Sequence, residues 1–398
     1  MAVTELPQPP AAPFSFNRLG PFYALQRRLG LISDSHLAVG RRALLFLLVA
    51  WLPALLLALL QGLALNAKHE SAMLLDFSAY AFGLAIVAFV LMEQTSDKRM
   101  AWLVSQFIAQ GIVRDSARAG FANARQRMER RTGNPWVEAL IALAAFALAY
   151  EWASIGASRI PGGTWYGQSV DGQLQPTLPG WWALGVALPL FWFLLGRWLW
   201  RFFTWGLMLR DIARCDLRLV ATHPDRCGGI AFIGQYPKTY LMFVFALSSV
   251  VAAGVLKSVV YAGASLLSFK FALFGLVAFL VIAFVLPLLA FTPVLVALKK
   301  QGLSRYGALV SQHHLAFEAR WLGDGDPRGD AALGSPDVSS LADLSAAYDL
   351  VRSMQAVPVT KSSIIPLVLA AMVPLAGVAL TRVPFKAILD SVKGLLLL

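Results

Sequence analysis

Residues 181–205 read WWALGVALPLFWFLLGRWLWRFFTW, an apolar run with tryptophan at both ends. As a helix at 1.5 Å per residue it would be roughly 36 Å long, enough for the ~30 Å hydrocarbon core of a bilayer and part of each interface. Tryptophan favours those two interfaces. The stretch therefore predicts a transmembrane helix and decides the class of the fold.

The rest of the chain repeats this signal. Of its 398 residues 58% are hydrophobic and only 14% are charged, a balance that excludes a soluble fold of this size. The sequence predicts an all-α protein, a polytopic bundle of about seven transmembrane helices. The predicted spans are 43–65, 77–93, 136–154, 181–203, 240–261, 271–297 and 363–382.

Lysine and arginine predict the orientation, because they are retained on the cytoplasmic side of a membrane. Of 34 such residues, 27 fall in segments that a cytoplasmic N-terminus would keep inside. We therefore expect the N-terminus in the cytoplasm and the C-terminus outside. The net charge of +12 is expected to face anionic lipid headgroups. Nucleic acid is not an expected partner, because no nucleic-acid fold signature accompanies the charge.

The predicted spans divide the chain into four parts. In the second part, Ser96 or Asp97 is expected to start a separate amphipathic helix, and Pro287 and Pro293 to tilt or kink the sixth span. The parts are a cytoplasmic N-terminal segment, 1–42; a six-span membrane domain, 43–297, with cytoplasmic helical loops 94–135 and 204–239; a cytoplasmic helical insert, 298–362; and the seventh span with a C-terminal amphipathic helix, 363–398.

The most compact polar stretch is ATHPDRCGGI, residues 221–230. It has two interpretations. In one, Asp225 caps backbone N–H groups of a turn and pairs with Arg218 or Arg226. In the other, these side chains and His223 contact a ligand or ion in a cytoplasm-facing cavity.

A metal site is a more specific hypothesis for this region of the chain, because Cys215, His223 and Cys227 lie close in sequence. Their spacing matches no common closed zinc site, and no fourth ligand accompanies them. We therefore predict neither a metal nor a cofactor.

Charged residues inside the spans are functional candidates, because an unpaired charge in lipid is costly. Arg197 and Arg201 lie one helical turn apart near the end of the fourth span. They either reach out to lipid phosphates or face an anion at a pore mouth. Glu151 and Lys257 are expected near the outer ends of their spans, where they could pair.

Two stretches resemble a known group. DLRLVATHPDRCGGI at 216–230 and SLADLSAAYDLVRSMQAVPVT at 340–360, with the apolar segment that follows, are similar to uncharacterised bacterial multi-pass membrane proteins that have an HPDRxGG-like loop. The resemblance covers the second half of the chain. It implies a bacterial inner-membrane location, and it transfers no activity and no residue role.

Three classes of function remain open. The favoured class is a channel or transporter for a small ion or solute, because the chain shows few of the convergent polar groups that an enzyme needs. The second is a membrane-embedded enzyme or sensor in which His223 and Asp225 act on a lipid-like or phosphorylated ligand. The third is a structural assembly subunit. The substrate, and whether the chain forms a homo-oligomer, are left open by the sequence.

Overall fold

The computed structural model describes residues 14–33, 37–65, 72–159, 163–261, 263–322 and 336–380, and within them the chain is mostly helical. The α-helices are α1 Pro21–Arg28, α2 Val39–Leu60, α3 Phe77–Ala109, α4 Arg118–Thr132, α5 Pro135–Arg159, α6 Leu178–Trp182, α7 Leu188–Ala213, α8 Leu241–Tyr261, α9 Lys270–Val285, α10 Thr292–Trp321, α11 Pro336–Arg352 and α12 Lys361–Leu380.

Shorter helical turns join some of these helices. A π-helical turn, Ala183–Ala187, lies between α6 and α7. Turns of 3-10 helix are Met73–Leu75, Asp115–Ala117, Ala231–Tyr240, Leu266–Phe269 and Leu286–Phe291.

Seven helical segments of the described chain are long and apolar enough to cross a membrane, as the sequence predicts. This makes the chain compatible with an integral membrane protein. Each segment overlaps one predicted span. The segments are Val39–Leu60, Phe77–Ala109, Pro135–Ser158, Leu178–Ala213, Ala231–Tyr261, Leu266–Trp321 and Lys361–Ala379.

The described chain is mostly helical, as predicted, but between the third and fourth spans it forms a β-hairpin that the prediction does not include. Strand β1, Gly167–Val170, pairs antiparallel with β2, Gln173–Pro176. Asp171 and Gly172 connect the strands with positive φ angles of 49° and 78°. Asp-Gly is a preferred pair for such a two-residue turn, because both positions need positive φ. This local signal could have identified the hairpin.

The predicted start of a separate helix at Ser96 or Asp97 is also wrong. Helix α3 runs without a break for 33 residues from Phe77 to Ala109. The chain then turns back, and α4 packs on α7. The reason is that Asp97 does not cap a helix start. Its carboxylate instead accepts backbone N–H groups of the N-terminal segment, at Phe16 and Asn17.

Two prolines mark the irregular part of the sixth span. The helix changes to 3-10 geometry at Leu286–Phe291, around Pro287, and α10 begins one residue before Pro293. Helix α10 then continues for 30 residues and packs against α11. The predicted amphipathic helix at the C-terminus lies outside the described residues.

Aromatic side chains fill the middle of the bundle between α3, α7, α8 and α9. The rings of Phe202 and Tyr240 lie 4.7 Å apart between their centroids, and those of Phe89 and Phe243 lie 5.2 Å apart. Close ring contacts of this kind add packing energy to the burial of apolar area. The buried aromatic core comprises Phe89, Phe191, Trp198, Phe202, Trp205, Tyr236, Tyr240, Phe243 and Phe284.

Candidate functional site

A buried ion pair joins Asp76 and Lys257 at one end of the bundle. The Lys257 ammonium donates to Asp76 Oδ2 at 2.6 Å, and both side chains are buried. Trp165 donates its indole N–H to the same oxygen at 2.8 Å. Oδ1 accepts the backbone N–H of Ser78 at 2.9 Å and so caps the start of α3. Both carboxylate oxygens are in use, and the pair carries no net charge.

Five charged side chains meet at the other end of the bundle, and we call them the five-charge cluster. Glu93 accepts a hydrogen bond from Arg42 at 2.7 Å, and its second oxygen lies 3.4 Å from Arg201. The same oxygen lies 3.8 Å from Arg197, which also pairs with Glu138 at 2.9 Å. The cluster therefore ties together α2, α3, α5 and α7. Its members are Arg42, Glu93, Glu138, Arg197 and Arg201.

The length of helix α3 gives the distance between the two charged groups, because Asp76 caps its first turn and Glu93 lies 17 residues further along. At 1.5 Å per residue this is roughly 26 Å. The hydrocarbon core of a bilayer is ~30 Å thick. The ion pair and the five-charge cluster are therefore spaced to lie near opposite faces of a membrane.

The five-charge cluster is not electrically balanced. It holds three guanidinium groups and two carboxylates, and one guanidinium nitrogen, Arg197 Nη1, makes no hydrogen bond. The Arg197 side chain is only 7% exposed. Removing a charge from water costs several kcal/mol unless a partner compensates it. The ring centroids of Phe22 and Trp198 lie 4.7 Å from the guanidinium carbons of Arg197 and Arg201, so aromatic faces meet part of the excess positive charge.

The N-terminal segment, residues 14–33, covers this end of the bundle. The backbone N–H of Phe22 donates to Glu138 at 3.0 Å. Gln26, which is buried in α1, accepts a hydrogen bond from Arg42 Nε at 2.6 Å. Each contact satisfies a polar atom of the cluster that water would otherwise have to reach.

A second set of contacts anchors the same segment to the middle of α3. The buried side chain of Asn17 donates to the carbonyl oxygen of Glu93 at 2.7 Å and to Ser96 Oγ at 2.8 Å. Asp97 Oδ1 accepts the backbone N–H groups of Phe16 at 2.8 Å and Asn17 at 2.9 Å. The segment is thus held against the cluster by side chains from within a long helix.

The HPDR loop, residues 221–230, is built around one carboxylate. Asp225 Oδ1 accepts the backbone N–H groups of Cys227 at 2.8 Å and Gly229 at 3.1 Å, and Oδ2 accepts that of Ala231 at 2.9 Å. His223 Nδ1 lies 2.8 Å from Oδ1. Burial raises the pKa of Asp225, but the three N–H donors and His223 outweigh it and hold that pKa below its ordinary value. This geometry is that of a capped turn.

The predicted pairing of Asp225 with Arg218 or Arg226 is wrong. Both arginines are exposed, and the ion-pair partner that the described residues give Asp225 is His223. Arg226 adopts a positive φ of 58°, and its carbonyl oxygen accepts the N–H of Gln355 at 2.8 Å. The N–H of Arg218 donates to the carbonyl of Ile112 at 2.7 Å. These two arginines therefore join chain segments through their backbones.

The two cysteines are free thiols. Burial, and then the Asp225 carboxylate, raise the pKa of Cys227 to about 11, and burial raises that of Cys215. Metal ligation requires the thiolate, so these environments work against it. Within the described ranges, no group of three or more His, Cys, Asp or Glu side chains is placed to hold a metal ion.

Two expectations about charges in the spans are corrected. Arg197 and Arg201 do not reach out to lipid, because carboxylates of α3 and α5 lie inside the bundle and draw them inward. Lys257 does not pair with Glu151, which is exposed on α5. Its partner is Asp76, which the sequence places at the start of another span.

Each charged group borders a cavity. The Arg197 cavity, of about 10 Å³, is lined by Glu138, Arg197 and Arg201 together with Trp200 and neighbouring side chains. The Asp76 cavity, of about 50 Å³, is mostly apolar and includes residues of the π-helical turn in its wall. π-helical turns occur frequently at functional sites.

Sequence reasoning did not assign a site role to four residues that the structure brings into the charged groups. Arg42, Asp76, Glu93 and Glu138 each lie within a few residues of the end of an apolar run. That position is ordinary for a charge at a membrane interface, so it carries no signal of burial. Only the contacts between spans distinguish these four residues from ordinary interfacial charges, and a single sequence does not record which spans pack together.

Comparison with known proteins adds no analogy, because no family model, curated protein or solved structure matches the chain. Function is therefore argued from the charged groups themselves.

Proposed function

We propose that this chain is an integral protein of the bacterial inner membrane that moves a small ion or solute across it. The seven membrane-length helices support the membrane location. The inner-membrane assignment rests on the resemblance of the HPDR loop to bacterial multi-pass proteins. The five-charge cluster is the site that we assign to transport.

The orientation in this proposal places the N-terminus and the five-charge cluster on the cytoplasmic side. The bias of 27 of 34 basic residues supports it. Reporter fusions test it. A fusion after residue 168 should report the periplasm and one after residue 115 the cytoplasm. The reverse pattern would overturn the orientation.

One observation carries the transport proposal, namely three buried arginines facing two glutamates. Buried charges in membrane proteins are costly, and they commonly mark ion or substrate pathways. A purely structural cluster would be expected to balance, as Asp76 and Lys257 do. The excess of one positive charge favours an anion as the moving species.

The packed interior supports a gated mechanism. The aromatic core separates the five-charge cluster from the Asp76–Lys257 pair. A solute that crosses must therefore wait for the helices to separate, as in a transporter or a gated channel. The N-terminal segment would serve as the cytoplasmic gate, because it is hydrogen-bonded to Glu138, Arg42 and Asp97.

Flux into liposomes tests the proposal. Purified protein is reconstituted, and the uptake of chloride and of potassium is compared with protein-free liposomes. We expect anion flux that Arg201→Gln reduces about tenfold, the effect of roughly one charge-assisted hydrogen bond. Arg118→Gln is the matched control, because Arg118 pairs with Asp115 on the surface and is 69% exposed. Flux equal to protein-free liposomes would overturn the proposed transport.

A further inference from the structure

We propose that a groove between α7 and the sixth span binds one anionic phospholipid, with an acyl chain in the groove and the phosphate beside Arg210. We call it the α7 groove. The inference goes beyond the proposed transport, since it requires only that the chain lies in a membrane. It depends on the volume, the exposure, the length and the charge of the groove.

The α7 groove has the volume of a ligand site. It lies where the sixth span changes to 3-10 geometry at Leu286–Phe291, and it encloses about 530 Å³. Ligand pockets typically enclose ~300–1,000 Å³. Small residues stand in both walls, namely Gly206 on α7 and Ala283 and Ala290 on the sixth span. The space therefore exists because longer side chains are missing on both sides.

The groove opens on the outside of the bundle and is apolar. Leu199, Phe203 and Leu286 line it and are between 44% and 60% exposed, whereas Phe202 in its wall is buried. All four belong to segments long and apolar enough to cross a membrane. Exposed apolar side chains on such segments contact lipid chains rather than water. An acyl chain can therefore enter the groove sideways from the bilayer.

The two walls run parallel, which gives the groove a direction. Phe202 packs on Phe284 with 5.0 Å between ring centroids, and Gly206, one turn further along α7, lies against Pro287. Both segments proceed from the Asp76 end of the bundle toward the end with the five-charge cluster. Arg210 therefore stands at the end of the groove on the side of that cluster.

The length of the groove matches one leaflet. On α7 it extends over 11 residues, from Leu199 to Arg210, or roughly 16 Å. Half of the ~30 Å hydrocarbon core is about 15 Å. On the sixth span, Ala290 lies 20 residues after Lys270, roughly 30 Å further, so the Arg210 end lies at one edge of the core. The groove thus runs inward from the headgroups over the depth of one acyl chain.

Arg210 supplies an uncompensated charge at the headgroup end. It is exposed, and none of the described residues that line the groove is acidic. The adjacent Asp211 is engaged by Arg127 at 3.0 Å and Arg131 at 3.5 Å. Helical side chains lean toward the N-terminus of their helix, which directs Arg210 back to the membrane. Its guanidinium is therefore placed to meet a lipid phosphate.

The same charge selects the type of lipid. A guanidinium fits a phosphate with two parallel hydrogen bonds. The ammonium of a zwitterionic headgroup would find no carboxylate in the groove wall. An arginine in the last turn of a helix is ordinary, because it also interacts favourably with the helix dipole. It is the leaflet-long groove ending at this arginine that indicates a lipid site.

The experiment measures lipid binding to the full chain in detergent. Native mass spectrometry counts the phospholipids that remain after purification. The delipidated chain is then titrated with phosphatidylglycerol, with phosphatidylcholine of the same chains, and with glycerol 3-phosphate, and the unfolding temperature is recorded. We expect one phosphatidylglycerol per chain and a saturable rise in unfolding temperature. Phosphatidylcholine should bind about tenfold more weakly, and glycerol 3-phosphate should not bind.

Variants separate the groove from the charge. Gly206→Leu should abolish binding of both lipids by filling the groove, and Ala290→Leu fills the same space from the opposite wall in case the first variant does not fold. Arg210→Gln should remove the preference for phosphatidylglycerol and leave the weaker binding. Gly275→Leu is the control for bulk, because Gly275 is exposed on α9 with nothing within 4 Å of an added Cβ. Arg118→Gln is the control for charge.

Three results would overturn the inference. The first is a folded wild-type chain that retains no phospholipid and shows no saturable response to phosphatidylglycerol. The second is glycerol 3-phosphate binding as tightly as phosphatidylglycerol, because the site would then recognise a free phosphate. The third is lipid binding by folded Gly206→Leu and Ala290→Leu that equals binding by Gly275→Leu, because the lipid would then lie elsewhere.

Discussion

The Asp76–Lys257 pair and the five-charge cluster are both buried ionic groups near the ends of α3, and they differ in balance. The pair has one charge of each sign, and three donors use both oxygens of Asp76. The cluster has an extra arginine and a guanidinium nitrogen with no hydrogen bond. The comparison teaches that burial of charge alone does not identify a functional site. Incomplete compensation of that charge is what makes the cluster the candidate site.

The two groups also differ in what covers them. Trp165, just before the β-hairpin, closes the Asp76 end through one hydrogen bond. The cluster is covered by residues 14–33, which bond to it through backbone and side-chain groups alike. A covering segment that is held by polar contacts can exchange those contacts for hydrogen bonds to water. It is therefore better suited to open than an indole packed in an aromatic wall.

The largest effect is expected at the centre of the cluster. Glu93→Gln should lower the free energy of unfolding by about 5 kcal/mol, the upper part of the range for breaking a buried ion pair, because three guanidinium groups lose their shared carboxylate. Denaturant unfolding in detergent measures it. Glu129→Gln is the matched control, since its pair with Arg125 is a partly exposed i,i+4 pair within one helix. Equal losses in the two variants would contradict the shared role of Glu93.

A smaller loss is expected at the balanced pair. Asp76→Asn should cost about 3 kcal/mol, because it leaves the Lys257 ammonium buried without a carboxylate and keeps only one oxygen where Ser78 and Trp165 donate to two. Adding Lys257→Met should restore part of the loss by removing the unpaired charge. A double variant as unstable as the sum of both single variants would show that the two charges do not compensate each other.

The excess of arginine predicts an asymmetry within the cluster. Arg201→Gln should cost only about 1–2 kcal/mol, because two arginines and two glutamates remain and the lost hydrogen bond is long, at 3.4 Å. The same unfolding assay measures it beside Glu93→Gln. If Arg201→Gln is as damaging as Glu93→Gln, the cluster is balanced in solution and its positive excess is refuted.

The smallest effect is expected at the HPDR loop, where a charged group serves the fold. Asp225→Ala should cost about 1 kcal/mol near neutral pH, the worth of a lost cap. The pKa of Asp225 is lowered in the folded protein, so its contribution is full above the ordinary value of 3.8 and is lost as the pH falls through the lower value. The gap between wild type and variant should therefore be constant at neutral pH and narrow below about pH 4.

His223 gives a control for that loop. His223→Gln keeps a side chain that can hydrogen-bond to Asp225, whose backbone N–H donates to His223 Nδ1 at 3.2 Å, whereas His223→Ala does not. We expect the glutamine variant to be the more stable of the two and both to keep wild-type flux. A loss of flux with intact stability in either variant would indicate that the loop contacts a ligand or ion.

Hydrophobic patterning determined most of the fold in advance. Seven apolar runs became seven membrane-length helices, because a bilayer requires about 20 apolar residues and internal hydrogen bonds whatever the neighbours are. Local signals were sufficient for helices α10 and α11, and an Asp-Gly turn was available for the hairpin. The continuity of α3 through Asp97 was not predictable, because the groups that satisfy this carboxylate, Phe16 and Asn17, are about 80 residues away in sequence.

The candidate site was decided by tertiary structure. The sequence placed Arg197 and Arg201 one turn apart on one helix face, since that depends on helix geometry alone. Whether that face met lipid or other helices depended on how α2, α3, α5 and α7 pack, and no periodicity within one span records its neighbour. The sequence by itself therefore determined that charges lie near the ends of the spans. Only the packed bundle decided which were buried, which were paired and which arginine kept an unused donor, because compensation of a buried charge is a property of contacts between segments distant in the chain.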